Sequence, residues 1–359
     1  MLDRIRTGDF PSAVYIVAEK GEAIFGDALG DAVREPERIP ARLDTIYDLA
    51  SLTKPLVTGL LCAQLVESGK LKIDAPLSSY LPEFNRPDKS AVTVGHLLTH
   101  SSGLPAWRPL YLLANDKGNA LATIAQEPLQ NKPGERVVYS DLGFIVLGFL
   151  LQQLSYSPLK DLAEQRIFEP LQLAHTFFNP SQAARTGMAA CEDGNAYERD
   201  MCERDFSTHT HNWRRGILWG QVHDGNAHFL GGVAGHAGLF SAAEDTLTMA
   251  KQFIALQSQL LKAETCELFE RNMTEGLNEA RSFAWQLAAT KDSTAGLSLP
   301  SNAFGHTGFT GTSCWIDAAA QRIFILLTNR THARAIPFAN INSVRREFHA
   351  LAVTALAGI

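Results

Sequence analysis

The sequence predicts an α/β fold: an antiparallel sheet built from both chain termini, flanked by helices, beside a mainly helical lobe. Strand patterns gather at the two ends, at Ala13–Glu19 with a return at Ala23–Phe25, and at Phe283–Ala289, Ser313–Asp317 and Arg322–Thr328. Helical apolar spacing fills most of the region between them. No internal repeat and no low-complexity linker divides the chain, so one unit over 1–359 is expected, with a sheet lobe of approximately 1–50 and 280–359 and a helical lobe of approximately 51–279.

The elements follow in order. Ala13–Glu19 reads Ala-Val-Tyr-Ile-Val-Ala-Glu, a strand, and Lys20-Gly21 is a turn into the return strand. Ile46–Leu49 is a short approach to Ser51. From Ser51 to Ser68 the apolar positions Leu52, Val57, Leu60, Leu61, Ala63, Leu65 and Val66 fit a helix. Pro55 falls in its first turn, where a missing N–H costs little, and Gly69 ends it. A second helix is predicted over Val94–Thr99, stopped by Ser101-Ser102-Gly103, and two more over Leu142–Leu154 and Leu159–Phe168. Residues 180–232 are polar and carry no clear period. Ala243–Leu260 is helical again, and a terminal helix covers roughly Asn340–Ala357.

Composition narrows the function. The chain has 359 residues and a formal net charge of −6, with 45% hydrophobic and 19% charged residues. Nothing is basic enough to attract nucleic acid, and no Lys/Arg run marks a membrane surface. No apolar stretch reaches bilayer length; Phe144–Leu154 is too short and carries Gln152 and Gln153. Met1-Leu2-Asp3-Arg4-Ile5-Arg6 lacks the apolar core of a signal peptide, so a cytoplasmic location is expected. Cys62, Cys191, Cys202, Cys266 and Cys314 form no C-x-x-C pair and read as free thiols, a Cys191–Cys202 disulfide being the alternative.

Three motifs carry chemistry. In Ser51-Leu52-Thr53-Lys54 the serine and lysine share a helix face, which brings an amine to a hydroxyl. A serine is a weak nucleophile until a base takes its proton, and a lysine partly neutralised by burial can serve. The alternative is a helix cap. Tyr139-Ser140-Asp141 follows the turn Lys132-Pro133-Gly134 and presents Tyr139 just before a helix start. A tyrosine beside cations can relay a proton; otherwise Ser140 or Asp141 is an N-cap and Tyr139 packs on the core. His306-Thr307-Gly308 leads through Phe309-Thr310-Gly311-Thr312 into a strand whose edge can donate an N–H to an oxyanion, or which merely holds a glycine bulge.

In this order, S-x-x-K, Y-S-D and H-T-G, the chain resembles the serine β-lactamase and penicillin-binding protein superfamily, which includes class C β-lactamases, DD-peptidases and related esterases. His96–Pro105 and Gly232–Ser241 carry the likeness too, and it spans the chain from about Ala13 to the terminal helix. The resemblance implies a single catalytic unit that forms an acyl-enzyme without a cofactor or metal. Ser51 is then the nucleophile, and Lys54 with Tyr139 the base. The N–H groups of Ser51 and Phe309 form the oxyanion hole. His306, Thr307 and Gly308 line the site, and Asp141 stands where the family usually has Asn. The expected substrate is a small-molecule ester or amide, with no nucleic acid and no membrane span; oligomeric state is not readable.

Two departures shape the expectation. Asp141, if ionised, stabilises a protonated Lys54 and repels a substrate carbonyl; if protonated, it mimics the amide. His306 replaces the usual lysine and is mostly neutral near pH 7. Esterase-like hydrolysis is therefore expected to exceed β-lactam hydrolysis. The alternatives are a penicillin-binding DD-peptidase or β-lactamase, or a non-catalytic acyl-binding sensor or scaffold.

His209, His211, His223, His228 and His236 crowd the middle, with zinc-type spacing at His209-x-His211 and His223-Asp224 but no H-E-x-x-H helix, so surface or hydrogen-bonded histidines are expected. His100 reads as a core residue. Trp107, Trp213 and Trp219 either line an apolar pocket or anchor loops.

Overall fold

The computed structural model describes residues 1–206 and 211–358. Among them, strands run at β1 Ser12–Glu19, β2 Glu22–Val33, β3 Ile39–Pro40, β4 Tyr47–Asp48, β5 Phe177–Phe178, β6 Leu239–Ser241, β7 Gln286–Leu287, β8 Phe304–Thr307, β9 Ser313–Asp317 and β10 Arg322–Thr328. Seven form one antiparallel sheet in the order β3-β2-β1-β10-β9-β8-β7. The two ends of the chain meet at its centre, where β1 pairs with β10 from Ala13↔Thr328 to Glu19↔Arg322. The sheet is thus assembled from both termini and flanked by helices.

β10 is nearly all apolar because both of its faces are covered. Ile323, Ile325 and Leu327 enter the larger core with the helices, while Phe324 and Leu326 enter a second core on the opposite face. The terminal helix, Asn342–Ala357, closes that second face with Val344, Phe348, Ala352 and Leu356, spaced four apart on one stripe.

Several elements differ from expectation. The return strand that begins at Ala23–Phe25 continues to Val33; its first half is largely exposed, so pairing with β1 rather than burial holds it. The strand expected over Phe283–Ala289 shrinks to Gln286–Leu287, because Ala284 takes a left-handed φ of 65° that no extended strand accepts. The helix after Ser51 begins as a tight turn at Ala50–Leu52, widens through Lys54–Gly59, where Pro55 has no N–H to give, and becomes regular only at Leu60–Glu67. The Ala243 helix stops at Lys251. The Gln252 side chain then accepts the Gln259 and Leu260 N–H groups at 2.7 and 3.3 Å and turns the chain.

A small sheet in the order β4-β6-β5 sits beside the large one. Its strand β4 leads straight into Ser51, and β8 of the large sheet ends at His306-Thr307, so the two sheets deliver the first and third motifs to one place. Among the described residues no single helix is long and apolar enough to cross a membrane; Asp141–Ser155 and Leu159–Phe168 reach that length only as a pair bent by 79°. The five cysteines are free and buried.

Candidate active site

Ser51 follows a strained residue. Ala50 has φ 47°, a conformation that costs a non-glycine residue about 1 kcal/mol or more. Asp48 holds it there, its Oδ1 accepting the Ala50 N–H at 2.8 Å, and Thr53 Oγ1 donates to the Ala50 carbonyl at 2.7 Å. The turn after β8 packs on this loop from the other side. Thr310 Oγ1 donates to the Asp48 carbonyl at 2.7 Å and Thr312 Oγ1 to the Leu49 carbonyl at 3.0 Å. Gly308 has no room for a side chain there: a Cβ would lie 2.5 Å from the Leu49 carbonyl oxygen. These contacts bring Phe309 alongside Ser51, although 258 residues separate them in sequence (309 − 51).

Lys54 is wholly buried and fully engaged. Its Nζ donates to Ser51 Oγ at 2.8 Å and to the His236 carbonyl at 3.1 Å, and forms an ion pair with Asp141 Oδ1 at 2.7 Å. The glycine-rich segment Gly232–Gly238 explains the second partner. Gly232 and Gly238 take φ of 83° and 116°, and the turn they make presents its carbonyls to the helix after Ser51, Thr58 Oγ1 donating to Gly235 at 2.7 Å. The third partner comes from the helix Asp141–Ser155. Ser140 is its cap, accepting the Gly143 N–H at 3.3 Å, which leaves the Asp141 carboxylate to face Lys54.

Of the two readings of Lys54, partly neutralised by burial or held protonated by Asp141, this pairing favours the second. Burial does pull the ammonium down, but the Asp141 carboxylate and Tyr139 together outweigh it and leave Lys54 above its ordinary value. Tyr139 is half-buried against the same group, Lys54 Nζ lying 5.0 Å from its ring centroid. Burial pushes the phenol up, hydrogen bonding to Lys54 and Ser51 works against that, and the net direction is upward. The pairing therefore favours the Lys54 ammonium and a protonated Tyr139 phenol beside the serine.

His306 stands on the far side of Tyr139, ring centroids 5.7 Å apart. Its Nδ1 donates to the Thr307 carbonyl at 2.9 Å, and its Nε2 is buried without a partner among the described residues. Burial, with Lys54 and Arg281 nearby, holds its pKa well below the usual histidine range, so it is neutral. The positive charge comes from residues that no motif announced. Arg281 lies 5.8 Å from the Tyr139 ring centroid and pairs with Glu279 at 2.7 Å. Arg345, on the terminal helix, donates to the Gly308 and Thr312 carbonyls at 3.1 and 3.0 Å; burial and the neighbouring Arg330 lower it to about 9. Arg330 Nε donates to the Phe309 carbonyl at 2.7 Å.

All the sequence-predicted site residues except Lys54, which is sealed beneath Ser51, line one cavity of about 510 Å³. Ser51, Tyr139, Asp141, His306, Thr307, Gly308 and Phe309 share it with the cations Arg281, Arg330 and Arg345 and the acids Glu198 and Asp224. Burial and the charge of Asp224 raise Glu198 to about 7. Asp224 falls below its ordinary value: burial opposes this, and His236, at 2.9 Å, overrides it.

Of the histidines, His223 pairs with Glu192 at 2.6 Å and His211 stacks near Tyr111 and Trp213. His209 lies outside the described residues. Among the described residues no group of three or more His, Cys, Asp or Glu could hold a metal ion. Trp107 lines the cavity; Trp219 is buried elsewhere, its Nε1 donating to the Met188 carbonyl at 2.9 Å, and Trp213 packs on Tyr111.

Comparison with known proteins gives a family match and the same fold. A family model described as Beta-lactamase matches residues 2–343. A putative D-alanyl-D-alanine carboxypeptidase of Escherichia coli (strain K12) is 32% identical, covering 90% of this chain and 79% of that protein. An N-acetylmuramyl-L-alanine amidase of Bacillus subtilis (strain 168) is also 32% identical, covering 94% and 81%. In solved structures the same fold occurs in EstCE1, a hydrolase with promiscuous acyltransferase activity, with TM-score 0.73, 21% identity and coverage of 97% and 95%. It occurs again in the octameric penicillin-binding protein homologue from Pyrococcus abyssi, with TM-score 0.73, 20% identity and coverage of 98% and 75%.

Proposed function

The chain belongs to the β-lactamase family and is a serine hydrolase, and we propose that it cleaves small esters and amides through an acyl-Ser51 intermediate, esters faster than β-lactams. The observation that carries this is the 2.8 Å contact between Lys54 Nζ and Ser51 Oγ, with Asp141 at 2.7 Å behind it. In this reading Ser51 attacks the carbonyl, and Tyr139 with Lys54 takes its proton and passes it to the leaving group. The resting Lys54 already carries its full set of protons, so a proton must leave the Lys54–Asp141–Tyr139 cluster before Ser51 is activated. The N–H groups of Ser51 and Phe309 receive the oxyanion; losing one such donor costs about 3–4 kcal/mol of transition-state stabilisation. Water then attacks the acyl-enzyme. Both lobes supply residues to the cavity, which supports treating 1–359 as one catalytic unit.

Asp141 supports the preference for esters. A carboxylate accepts hydrogen bonds and cannot donate one to a substrate amide carbonyl, as an asparagine would. A second reading, a carboxylate-bearing peptide amide, is favoured by Arg281 and Arg345, which put buried positive charge beside His306.

The test compares turnover of p-nitrophenyl butyrate, a penicillin and an N-acylated D-Ala-D-Ala peptide, with acyl-enzyme mass followed in each. Ester turnover well above penicillin turnover is expected. Penicillin turnover far above the ester overturns the preference. Stable penicillin labelling without turnover identifies a sensor, and no reaction with a fluorophosphonate probe identifies a scaffold.

A further inference from the structure

We infer that His100 is a positioning residue whose ring and backbone fix the Tyr139 phenol against Ser51 and Lys54; this rests on the proposed proton-handling role of Tyr139. The sequence places His100 in the core, and it is 2% exposed. Three of its contacts converge on Tyr139. The backbone carbonyl accepts the Val138 N–H at 2.8 Å, and Nδ1 accepts the Ser140 N–H at 3.0 Å. Both amides flanking Tyr139 therefore end on His100. The imidazole also lies against the Tyr139 ring, centroids 4.5 Å apart at 36°, with Phe144 at 5.0 Å from the same imidazole.

Packing alone would not select this residue. His100 adopts φ 57°, a strained conformation for a side-chain-bearing residue. Because Nδ1 accepts, the neutral ring carries its proton on Nε2, and that N–H is buried with no partner among the described residues. Leucine or phenylalanine would fill the volume without an unsatisfied donor. Burial, together with Arg281, Lys54 and His306, keeps the ring neutral, so His100 works by geometry and not by charge. The charged and titratable groups that face Tyr139 are Lys54, Asp141, Arg281, His306 and His100 itself.

The test follows kcat, KM and the pH profile on p-nitrophenyl butyrate for the full chain and for Tyr139→Phe, His100→Ala and His100→Asn, with a thermal melt of each. His100→Ala is expected to lower kcat roughly 10–100-fold, the cost of a misplaced catalytic group, with KM nearly unchanged. Asparagine tolerates a left-handed backbone and offers an oxygen to the Ser140 N–H, so His100→Asn recovers at least about five-fold of that loss. Both variants open space beside the Tyr139 ring, which weakens the burial that raises the phenol pKa, and the rising limb of kcat/KM moves to lower pH. Wild-type kcat in a folded His100 variant, an unmoved rising limb, or an asparagine variant no better than alanine overturns the inference. If His100→Ala does not fold, the kcat and rising limb of His100→Asn decide. An inactive Tyr139→Phe beside wild-type-like His100 variants refutes the inference alone; a fully active Tyr139→Phe refutes the Tyr139 role itself.

Discussion

Replacing Lys54 with methionine is expected to lower acylation of Ser51 by at least about 10³-fold, because residues that act as one unit fail together, and to cost folding stability as well. The catalytic loss follows from the 2.8 Å contact to Ser51 Oγ: without the amine, the serine keeps its proton and the cluster loses its only link to Asp141 through that side chain. The stability loss has a separate cause. Methionine fills the space, but it leaves the Asp141 carboxylate and the His236 carbonyl without the ammonium they share. Removing one partner of a buried ion pair costs about 3–5 kcal/mol; Asp141 keeps 19% of its side chain exposed, so water relieves part of this and the lower end applies. Pre-steady-state release of p-nitrophenol and a denaturant melt read the two effects. A Lys54→Met enzyme that acylates at the wild-type rate would show that the amine is not part of the base.

The second large effect is expected from Asp141→Asn. In the wild-type protein the reactive form must lose a proton from a cluster whose lysine and tyrosine both sit above their ordinary values, so kcat/KM rises with pH through the neutral and mildly alkaline range. Asparagine removes the largest influence that opposes burial at Lys54. Burial then pulls the ammonium down, the free amine becomes available at lower pH, and the rising limb shifts toward acid. The new side-chain amide also offers an N–H to a substrate amide carbonyl. One such donor is worth on the order of 10²–10³ in rate where it meets developing charge, and even a fraction of this raises penicillin acylation at least about tenfold. A pH profile superimposable on the wild type, or unchanged penicillin acylation, contradicts the assignment of Asp141 as the group that sets the charge of Lys54.

The backbone of the site was legible because each motif sits at a local transition that sequence patterns mark: a short approach into an apolar helix at Ser51, a proline-glycine turn before the helix after Tyr139, and a glycine-spaced strand edge after His306. The charge state of Lys54 was not legible. Its counter-charge lies far along the chain, and only the choice of Ser140 as cap leaves Asp141 to fill that role. Arg281 reaches the cavity from a segment whose strand pattern misled, since Ala284 breaks the extended run just beyond it. Arg345 did leave a signal: with His349 it places polar groups on the buried side of the terminal helix, beside Val344, Phe348 and Ala352, where an apolar stripe alone would be expected. Glu198 and Asp224 come from the region without periodicity, and tertiary contacts alone bring them to the cavity.

Every step proposed for this site requires an acyl group to pass through the Ser51 oxygen. Intact-mass measurement and peptide mapping after a brief acid quench with p-nitrophenyl butyrate test this on the wild-type chain and on Ser51→Ala. One butyryl adduct is expected, on the peptide containing Ser51, and none in the variant. An adduct on another residue, or undiminished ester turnover by Ser51→Ala, would rule out Ser51 as the nucleophile.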